Sequence, residues 1–330
     1  MLVLILKRLG NASLVMLTVA FVAFMIFRFL GDPVQLMLNP QATQVERDEL
    51  RERLGLNQTP VMQFATFVGN AAKGEFGISY RNQKEVGALI AERFPATFEL
   101  VLVATIAALL IGVPLGVYAA ISPNAPLARC LHILSMVGVS VPAFVIGILL
   151  ILTFAVELQW LPAFGRGEVV DLGWWQTGFL TNSGRAALIM PAMSLASFEI
   201  AFVMRLVTAE MLEALRSDYV KFARARGLRD RSIHFRHALR NCLMPVITVV
   251  GMMIGDLIAF ALVTETVFQW PGMGFLFVQA VMFIDIPVMA AYLMVVALIF
   301  VTINTLVDLL YIVVDPRLRA QGGLGGAHGR

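Results

Sequence analysis

Four polar residues lie inside long apolar stretches, where a polar side chain requires a functional or a structural explanation. Glu199 and Asp256 each fall near the middle of such a stretch, and Asn304 and Asp308 lie one helical turn apart in the last one. A charge at membrane depth costs about 2.5–3.5 kcal/mol or more, so such residues commonly mark the path of an ion or a polar solute. We predict that these four side chains line a translocation path, in which Asp256 attracts cationic groups.

A structural role is the alternative for the same acids. Asp308 can pair with Arg28 or Arg205 between two helices, and Asp256 can belong to a similar ion pair. A third possibility is a relay that carries protons through Glu199, Asp256 and Asp308. The residue types alone leave these roles open.

The elements that must position these residues follow from composition. Hydrophobic residues make up 59% of the chain and charged residues 14%, with a mean hydropathy of +0.81, whereas a soluble domain carries about 25% charged residues. Several apolar runs reach the roughly 20 residues that cross a bilayer. The predicted spans cover residues 9–30, 96–121, 131–158, 187–207, 245–268 and 287–314. The sequence therefore predicts an all-α integral membrane protein with six transmembrane helices, and Gly112, Gly116, Gly138 and Gly147 suit close packing between them.

The predicted organisation has four parts. They are an amino-terminal transmembrane anchor (1–31), a helical extracytoplasmic cap (32–95), a membrane core (96–314) and a cytoplasmic tail (315–330). In the cap, Thr43 and Glu46 have the spacing of a capping box, and Thr59-Pro60 opens a second helix with Phe64, Phe67, Val68 and Ala71 facing inward. Basic residues gather in the segments on the side of the amino terminus, and none lies in the last outer segment, 269–286. Both termini are therefore predicted to be cytoplasmic, and all four tryptophans, Trp160, Trp174, Trp175 and Trp270, to lie in an outer interfacial belt.

The other informative feature is a polar, basic segment between the fourth and fifth spans, here named the 211–245 loop. Its basic residues are Lys221, Arg224, Arg226, Arg229, Arg231, Arg236 and Arg240. An apolar stripe at helical spacing consists of Leu212, Leu215, Tyr219, Phe222 and Ala223. Gly227 is predicted to end this helix, and Asp230 or Ser232 to cap a second one with Phe235, Leu239 and Cys242 on one face.

Two short amphipathic helices joined at a glycine suit the docking of a soluble cytoplasmic partner. An anchor lying on anionic lipid is the alternative, whereas DNA binding is remote for a segment tethered between two spans. No phosphate-binding GxxxxGK[ST] motif occurs in the chain, so an ATP-driven role requires separate ATPase subunits. Cys130 and Cys242 have no metal-ligand spacing.

Several stretches resemble the permease subunits of bacterial dipeptide/oligopeptide-type ABC importers. They are GDP (31–33), LGLNQTP (54–60), GEFGISY (74–80), PATFEL (95–100), SVPAF (140–144), TETVFQWPGMG (264–274) and LVDLLY (306–311). The 211–245 loop resembles the coupling loop of these permeases. Of the general loop pattern, Ala223, Gly227 and Leu239 match, whereas Lys221, Phe222, His237 and Arg240 depart from it.

The resemblance implies a permease in the bacterial inner membrane that has no catalytic site of its own. It implies a second homologous permease, two ATPase subunits that hold ATP and Mg, and an extracytoplasmic binding protein that delivers the solute. The loop residues that would carry the coupling are Tyr219, Lys221, Phe222, Ala223, Arg224, Gly227, His237, Leu239 and Arg240. Ala223 and Gly227 would be small because the ATPase approaches them closely. Related permeases carry dipeptides, longer peptides, glutathione, opines or nickel chelates, so the solute stays open.

Two other classes remain as alternatives to an ABC permease. A proton-coupled secondary transporter would use Glu199, Asp256 and Asp308, but the chain lacks the internal repeat that commonly accompanies such transporters. A membrane anchor that transports nothing would have no use for acids inside its spans.

Overall fold

The computed structural model describes residues 2–29, 34, 43–53 and 57–314, which are mostly helical. The helices are α1 (Leu2–Phe29), α2 (Gln44–Arg53), α3 (Pro60–Ala72), α4 (Val86–Ile121), α5 (Pro126–Ser140), α6 (Ala143–Leu150), α7 (Asn182–Arg216), α8 (Asp218–Ala225), α9 (Asp230–Ser232), α10 (Leu239–Val267), α11 (Met273–Met282) and α12 (Ile286–Val314). Two π-helical segments, Ile151–Glu157 and Ile233–Ala238, directly follow α6 and α9. Before α7, strands β1 (Val170–Asp171) and β2 (Gln176–Thr177) form an antiparallel hairpin.

Four predicted spans lie within helices long and apolar enough to cross a bilayer. These segments are Val86–Ile121, Asn182–Arg216, Pro245–Val267 and Ile286–Val307. Helix α7 has 35 residues and is therefore about 52 Å long, well beyond the roughly 30 Å hydrocarbon core. In α1 the apolar part, Gly10–Ile26, is shorter than a full span among the described residues. The count of six transmembrane helices stays a prediction.

The span predicted as one helix over residues 131–158 is bent. Helices α5 and α6 meet at 107°, and Val141 between them is extended, with φ −90° and ψ 124°. Pro142 explains the bend, because a proline disfavours helical geometry in the residue before it and donates no backbone hydrogen bond. The predicted span is therefore interrupted at Val141–Pro142.

The bent pair still crosses from one end of α7 to the other. Ala128 at the start of α5 packs with Met204 in the second half of α7. Further along, Ser194 donates a hydrogen bond to the Ala143 carbonyl at 2.8 Å. Beyond the pair, Gly167 packs against the backbone of Ser183, at the start of α7. This progression indicates a broken span rather than a re-entrant loop.

The chain divides into two compact units. The first comprises Met1–Phe94 and Gly272–Arg330, and the second Pro95–Pro271. In the first unit, the residues of α3 predicted to face inward pack on Ala20 and Ala23 of α1, with the rings of Phe24 and Phe64 5.5 Å apart. That prediction is confirmed.

The capping box at the start of α2 is also confirmed. The Thr43 N–H donates to Glu46 Oε2 at 2.8 Å, and the Glu46 N–H donates to Thr43 Oγ1 at 3.4 Å. The hydrogen bonds from Thr43 to the carboxylate lower the pKa of Glu46, because they stabilise its charged form.

In the second unit, glycines let α4 approach α7 closely. A Cβ on Gly112 would lie 3.0 Å from the Ile200 carbonyl oxygen, and one on Gly116 would lie 2.6 Å from that of Met204. Gly147 of α6 is similarly close to the side chains of Ser194 and Phe268. The predicted role of these glycines in helix packing is confirmed.

Candidate functional site

The first arm of the 211–245 loop is interrupted. Helix α7 ends at Arg216, Ser217 is extended with φ −69° and ψ 158°, and α8 begins at Asp218. In α8, Val220 and Ala223 are buried against Ile233 and Leu215. Tyr219 and Phe222 are 40% and 64% exposed. The single apolar stripe predicted through both residues was wrong, because the extended Ser217 breaks the helical periodicity.

The burial of Ala223 also changes the explanation of its small size. Ala223 is 7% exposed and contacts the chain's own Val220 and Ile233. A small residue is therefore required there by packing within the loop itself. The close approach of an ATPase, which the resemblance implies, is not needed to explain its size.

Gly227 ends α8 as the sequence predicts. Its φ is +75° and no atom lies within 4 Å of the position that a Cβ would take. The N–H of Gly227 donates to the Arg224 carbonyl at 2.9 Å, and that of Leu228 donates to the Ala223 carbonyl at 3.2 Å. A left-handed residue that satisfies the last carbonyls is a usual helix ending, so backbone conformation rather than lack of space calls for glycine.

The second arm is continuous with the fifth predicted span. Helix α9 starts at Asp230, but the residue at its N-cap is Arg229, without a side-chain cap. The π-helical segment Ile233–Ala238 then leads directly into α10. The predicted separate helix capped by Asp230 or Ser232 was therefore wrong.

The π-helical segment also changes which residues face inward. Ile233, Ala238 and Cys242 are buried, at spacings of five and four, whereas Phe235 is 53% exposed and Leu239 half-buried. A spacing of five fits the i→i+5 bonds of a π-helix. The predicted face was therefore wrong for Phe235.

The basic side chains of the loop form an exposed surface. Lys221, Arg224, Arg226, Arg229, Arg231, Arg236 and Arg240 are all exposed, and His237 is half-buried. Lys221 Nζ lies 2.8 Å from Asp218 Oδ1, and Arg224 Nε lies 3.8 Å from Asp230 Oδ1. Exposed pairs of this kind contribute about 0–1 kcal/mol, so the charges stay available to a partner.

The predicted path residues fall into two groups. Glu199 of α7 is buried, whereas Asp256 of α10 is exposed on the isolated chain. Asn304 is half-buried in α12. Asp308 also belongs to α12, but its side chain lies outside the described residues, so its pairing with Arg28 or Arg205 stays a prediction.

Four residues whose contacts the sequence did not predict form a largely buried polar cluster in the second unit. It is here named the outer cluster, after the side of the membrane predicted for it (Glu99, Arg166, Trp175 and Trp270). Arg166 Nη2 lies 2.7 Å from Glu99 Oε2, and both side chains are almost fully buried. The same Arg166 nitrogen donates to the Gln176 carbonyl at 2.7 Å. Trp175 Nε1 donates to Glu99 Oε1 at 3.3 Å.

Trp270 corrects the predicted aromatic belt. It is 1% exposed, its Nε1 donates to the Ala96 carbonyl at 2.9 Å, and the Arg166 guanidinium lies 5.9 Å from its ring centroid. Trp160 and Trp174, in contrast, are 70% and 84% exposed. Nearby, Thr97 Oγ1 donates to the buried Glu265 at 2.6 Å.

Another buried acid braces a loop in the first unit. Asp285 is 1% exposed and accepts hydrogen bonds from the Ser79 hydroxyl and from the N–H groups of Tyr80 and Arg81. Burial, and then the charge of Asp285, raise the pKa of the Tyr80 phenol. Among the residues that the structure describes, no group of three His, Cys, Asp or Glu is arranged to hold a metal ion.

Comparison with protein families identifies the chain. The family described as "Binding-protein-dependent transport system inner membrane component" matches residues 112–320, and the N-terminal membrane component of such systems matches residues 1–101. The chain belongs to this family. Among the buried residues of this permease that were not predicted, Ser79, Glu99 and Trp270 lie in the stretches 74–80, 95–100 and 264–274, whereas Arg166 and Asp285 lie outside them.

Curated relatives cover the permease almost from end to end. It is 36% identical to the oligopeptide transport system permease protein AppB of Bacillus subtilis, over 95% of this chain and 98% of the relative. It is 37% identical to the dipeptide transport system permease protein DppB of Alkalihalophilus pseudofirmus, over 92% and 96%. The probable D,D-dipeptide transport system permease protein DdpB of Escherichia coli is also 37% identical, over 96% and 97%.

A solved structure supports the fold. A chain of the MetNI methionine ABC transporter, in an inward-facing conformation, aligns with a TM-score of 0.56 and 18% identity. The alignment covers 69% of this permease and 97% of that chain. At this identity the likeness concerns the fold alone.

Proposed function

We propose that this chain is the transmembrane permease subunit of an ATP-driven importer of dipeptides or oligopeptides. The observation that carries the proposal is its similarity, over more than nine-tenths of its length, to relatives named as dipeptide and oligopeptide permeases. The substrate class comes from those relatives.

The 211–245 loop docks on a partner ATPase in this proposal. Support comes from its exposed Tyr219 and Phe222 and from its exposed basic residues. The buried Ala223 and the left-handed Gly227 maintain the conformation of the loop that presents these side chains. Aromatic residues and arginine are enriched where proteins bind one another. Two ATPase subunits supply ATP hydrolysis with Mg, and this chain, together with a second homologous permease, supplies the path.

The extracytoplasmic side receives the peptide from a binding protein. The cap and the segments 159–186 and 269–286 contact that protein, and both termini lie in the cytoplasm of a bacterial cell. Inside the membrane, Glu199 and Asp256 lie beside the path, where their charge favours the amino terminus of a peptide. Asn304 and Asp308 are further candidates for this path.

Reconstitution tests the proposal. The permease, its co-purified partner subunits and the binding protein are placed in liposomes, and uptake of a labelled dipeptide and a labelled oligopeptide is measured with ATP inside or outside. We expect uptake that requires ATP on the side of the 211–245 loop and continues when an uncoupler collapses the proton gradient. Uptake abolished by the uncoupler at constant ATP would favour the proton-coupled alternative.

A further inference from the structure

We propose that Glu99 and Arg166 are a positioning pair that holds the outer ends of α7 and α10 against α4 during transport. Because of this pair, a movement of the 211–245 loop is transmitted to the outer side of the membrane by displacement of α7 and α10 as rigid bodies. The inference rests on the proposed function, because it concerns how ATP-driven movement is transmitted. It assigns a role to residues far from both the loop and the path acids.

The pair fixes a loop to α4. Arg166 lies in the segment between α6 and α7, and Glu99 lies in α4, 67 positions away in the chain. Besides the ion pair, the N–H of Gly178 donates to Glu99 Oε2 at 3.3 Å. Arg166 and the Gln176 carbonyl are also bonded. Arg166, before the β1–β2 hairpin, and Gly178, after it, thus both donate hydrogen bonds to the Glu99 carboxylate.

The same loop is attached to the start of α7. Thr181, the N-cap of α7, accepts a hydrogen bond from the Gly184 N–H at 3.0 Å and donates one to the Glu168 carbonyl at 2.6 Å. The Glu168 N–H donates to Ser183 Oγ at 3.1 Å. A Cβ on Gly184 would collide with the Gly178 carbonyl oxygen, so the loop and the helix are in direct contact there.

The loop is also attached to the end of α10. The Gly165 N–H donates to the Phe268 carbonyl at 2.9 Å, and Arg166 lies over the Trp270 ring. Trp270 is in turn bonded to Ala96 of α4. The ends of α7 and α10 therefore meet α4 through a single buried cluster.

From this cluster two unbroken helical paths lead to the 211–245 loop. Helix α7 runs from Asn182 to Arg216, and α10 is continuous through the π-helical segment back to Asp230. The second arm of the loop is thus a cytoplasmic continuation of α10, and the first arm begins as the end of α7, before the break at Ser217. A displacement of the loop that reaches α7 or α10 moves that helix as a body, unless the outer attachment gives way.

The ion pair is better suited to fixing the relative positions of the loop and α4 than to increasing the stability of the fold. A buried ion pair is generally no more stabilising than well-packed apolar residues of similar volume, because removing both charges from water offsets their attraction. Its directional bonds do, however, specify one arrangement of the groups that carry it. Arg166 makes two such bonds and Glu99 makes three.

Neutralising both members tests the pair without leaving one charge buried alone. In Glu99→Gln combined with Arg166→Gln, the amides can still bond to Trp175 and to the Gln176 carbonyl. The control is Thr105→Val, on the same helix, because the Thr105 hydroxyl donates to the Val101 carbonyl of its own turn. Each complex is reconstituted, and peptide uptake and ATP hydrolysis are measured together.

We expect the double variant to assemble and to hydrolyse ATP. The number of peptides taken up per ATP should fall at least about fivefold, which is the lower end of the coupling commonly found between distant sites. The control should keep the wild-type ratio. An unchanged ratio in the double variant, or uptake and hydrolysis that fall in proportion, overturns the inference. A wild-type complex that takes up no peptide contradicts the proposed function instead, which separates the two failures.

Hydrogen exchange on the wild-type complex gives an independent test that needs no variant. Residues 165–178 should keep the same protection without nucleotide and with ATP bound, while exchange in the 211–245 loop changes. Loss of protection at 165–178 in either state overturns the inference, because the outer attachment would then open during the cycle. This measurement decides the matter even if the double variant fails to assemble.

Discussion

Ser79 donates its hydroxyl hydrogen to Asp285, with Oγ and Oδ2 2.5 Å apart, across 206 positions of the chain. The other Asp285 oxygen accepts from the Tyr80 N–H at 3.1 Å. The aspartate directly precedes α12, so one buried carboxylate joins the loop after α3 to the start of the last helix.

Asp285→Asn should loosen this junction. The amide nitrogen cannot accept the hydrogen bonds that one carboxylate oxygen accepts, and an unsatisfied buried donor costs about 1–3 kcal/mol. We expect faster hydrogen exchange in residues 77–83 and a lower thermal midpoint of the purified complex. Glu75→Gln, an exposed charge on the same loop, is the control. Equal exchange in both variants would rule out the bracing role.

Gly227→Val should disturb the 211–245 loop through its backbone alone. No atom lies within 4 Å of a Cβ at this position, but φ is +75°, a region that costs a residue with a side chain about 1–2 kcal/mol. We expect weaker retention of the ATPase on the purified permease, with normal membrane insertion. Gly227→Asn is the matched variant, since asparagine tolerates this conformation better. If both variants retain the ATPase equally, the turn does not shape the docking surface.

Ala223→Asp should act from inside the loop. The new carboxylate would be buried against Val220 and Ile233, where an unpaired charge costs several kcal/mol. We expect increased protease cleavage within residues 218–232 even before any ATPase is added. Normal protease resistance combined with lost docking would place Ala223 at the partner surface.

Asp256→Asn separates a path role from a structural one. Asp256 is exposed on the isolated chain, so removing its charge should leave the yield of assembled complex unchanged. An attraction of about 1 kcal/mol between unit charges corresponds to roughly fivefold in rate. We expect uptake of a peptide with a free amino terminus to slow by this factor, and uptake of its N-acetylated form to stay unchanged. Reduced yield with normal uptake per complex would indicate a structural role.

How much of this fold could be predicted depended on whether the signal was local. The capping box at Thr43, the helix end at Gly227 and the packing glycines were predicted because backbone conformation and small size are legible within a few residues. The bend at Val141–Pro142 had a local signal too, in the proline itself. It was missed because hydropathy over the segment is continuous.

The outer cluster could not be predicted in the same way. Glu99 and Arg166 are 67 positions apart, and Ser79 and Asp285 are 206 apart, so no spacing rule joins them. Trp270 was assigned to the membrane interface because tryptophan is common there, yet its indole N–H is bonded to Ala96 in the interior. Burial of polar groups depends on tertiary contacts that appear only once the helices are placed.

The π-helical segment Ile233–Ala238 has a consequence for comparing relatives. A π turn holds one residue more than the α turn it replaces. Deleting that residue would restore a regular α turn without rotating α10 about its axis, so Asp256 would keep its present face. The π turn therefore absorbs the extra residue within residues 233–238. A relative that lacks this turn and is one residue shorter between Gly227 and Pro245 would present the same side of this helix to the path.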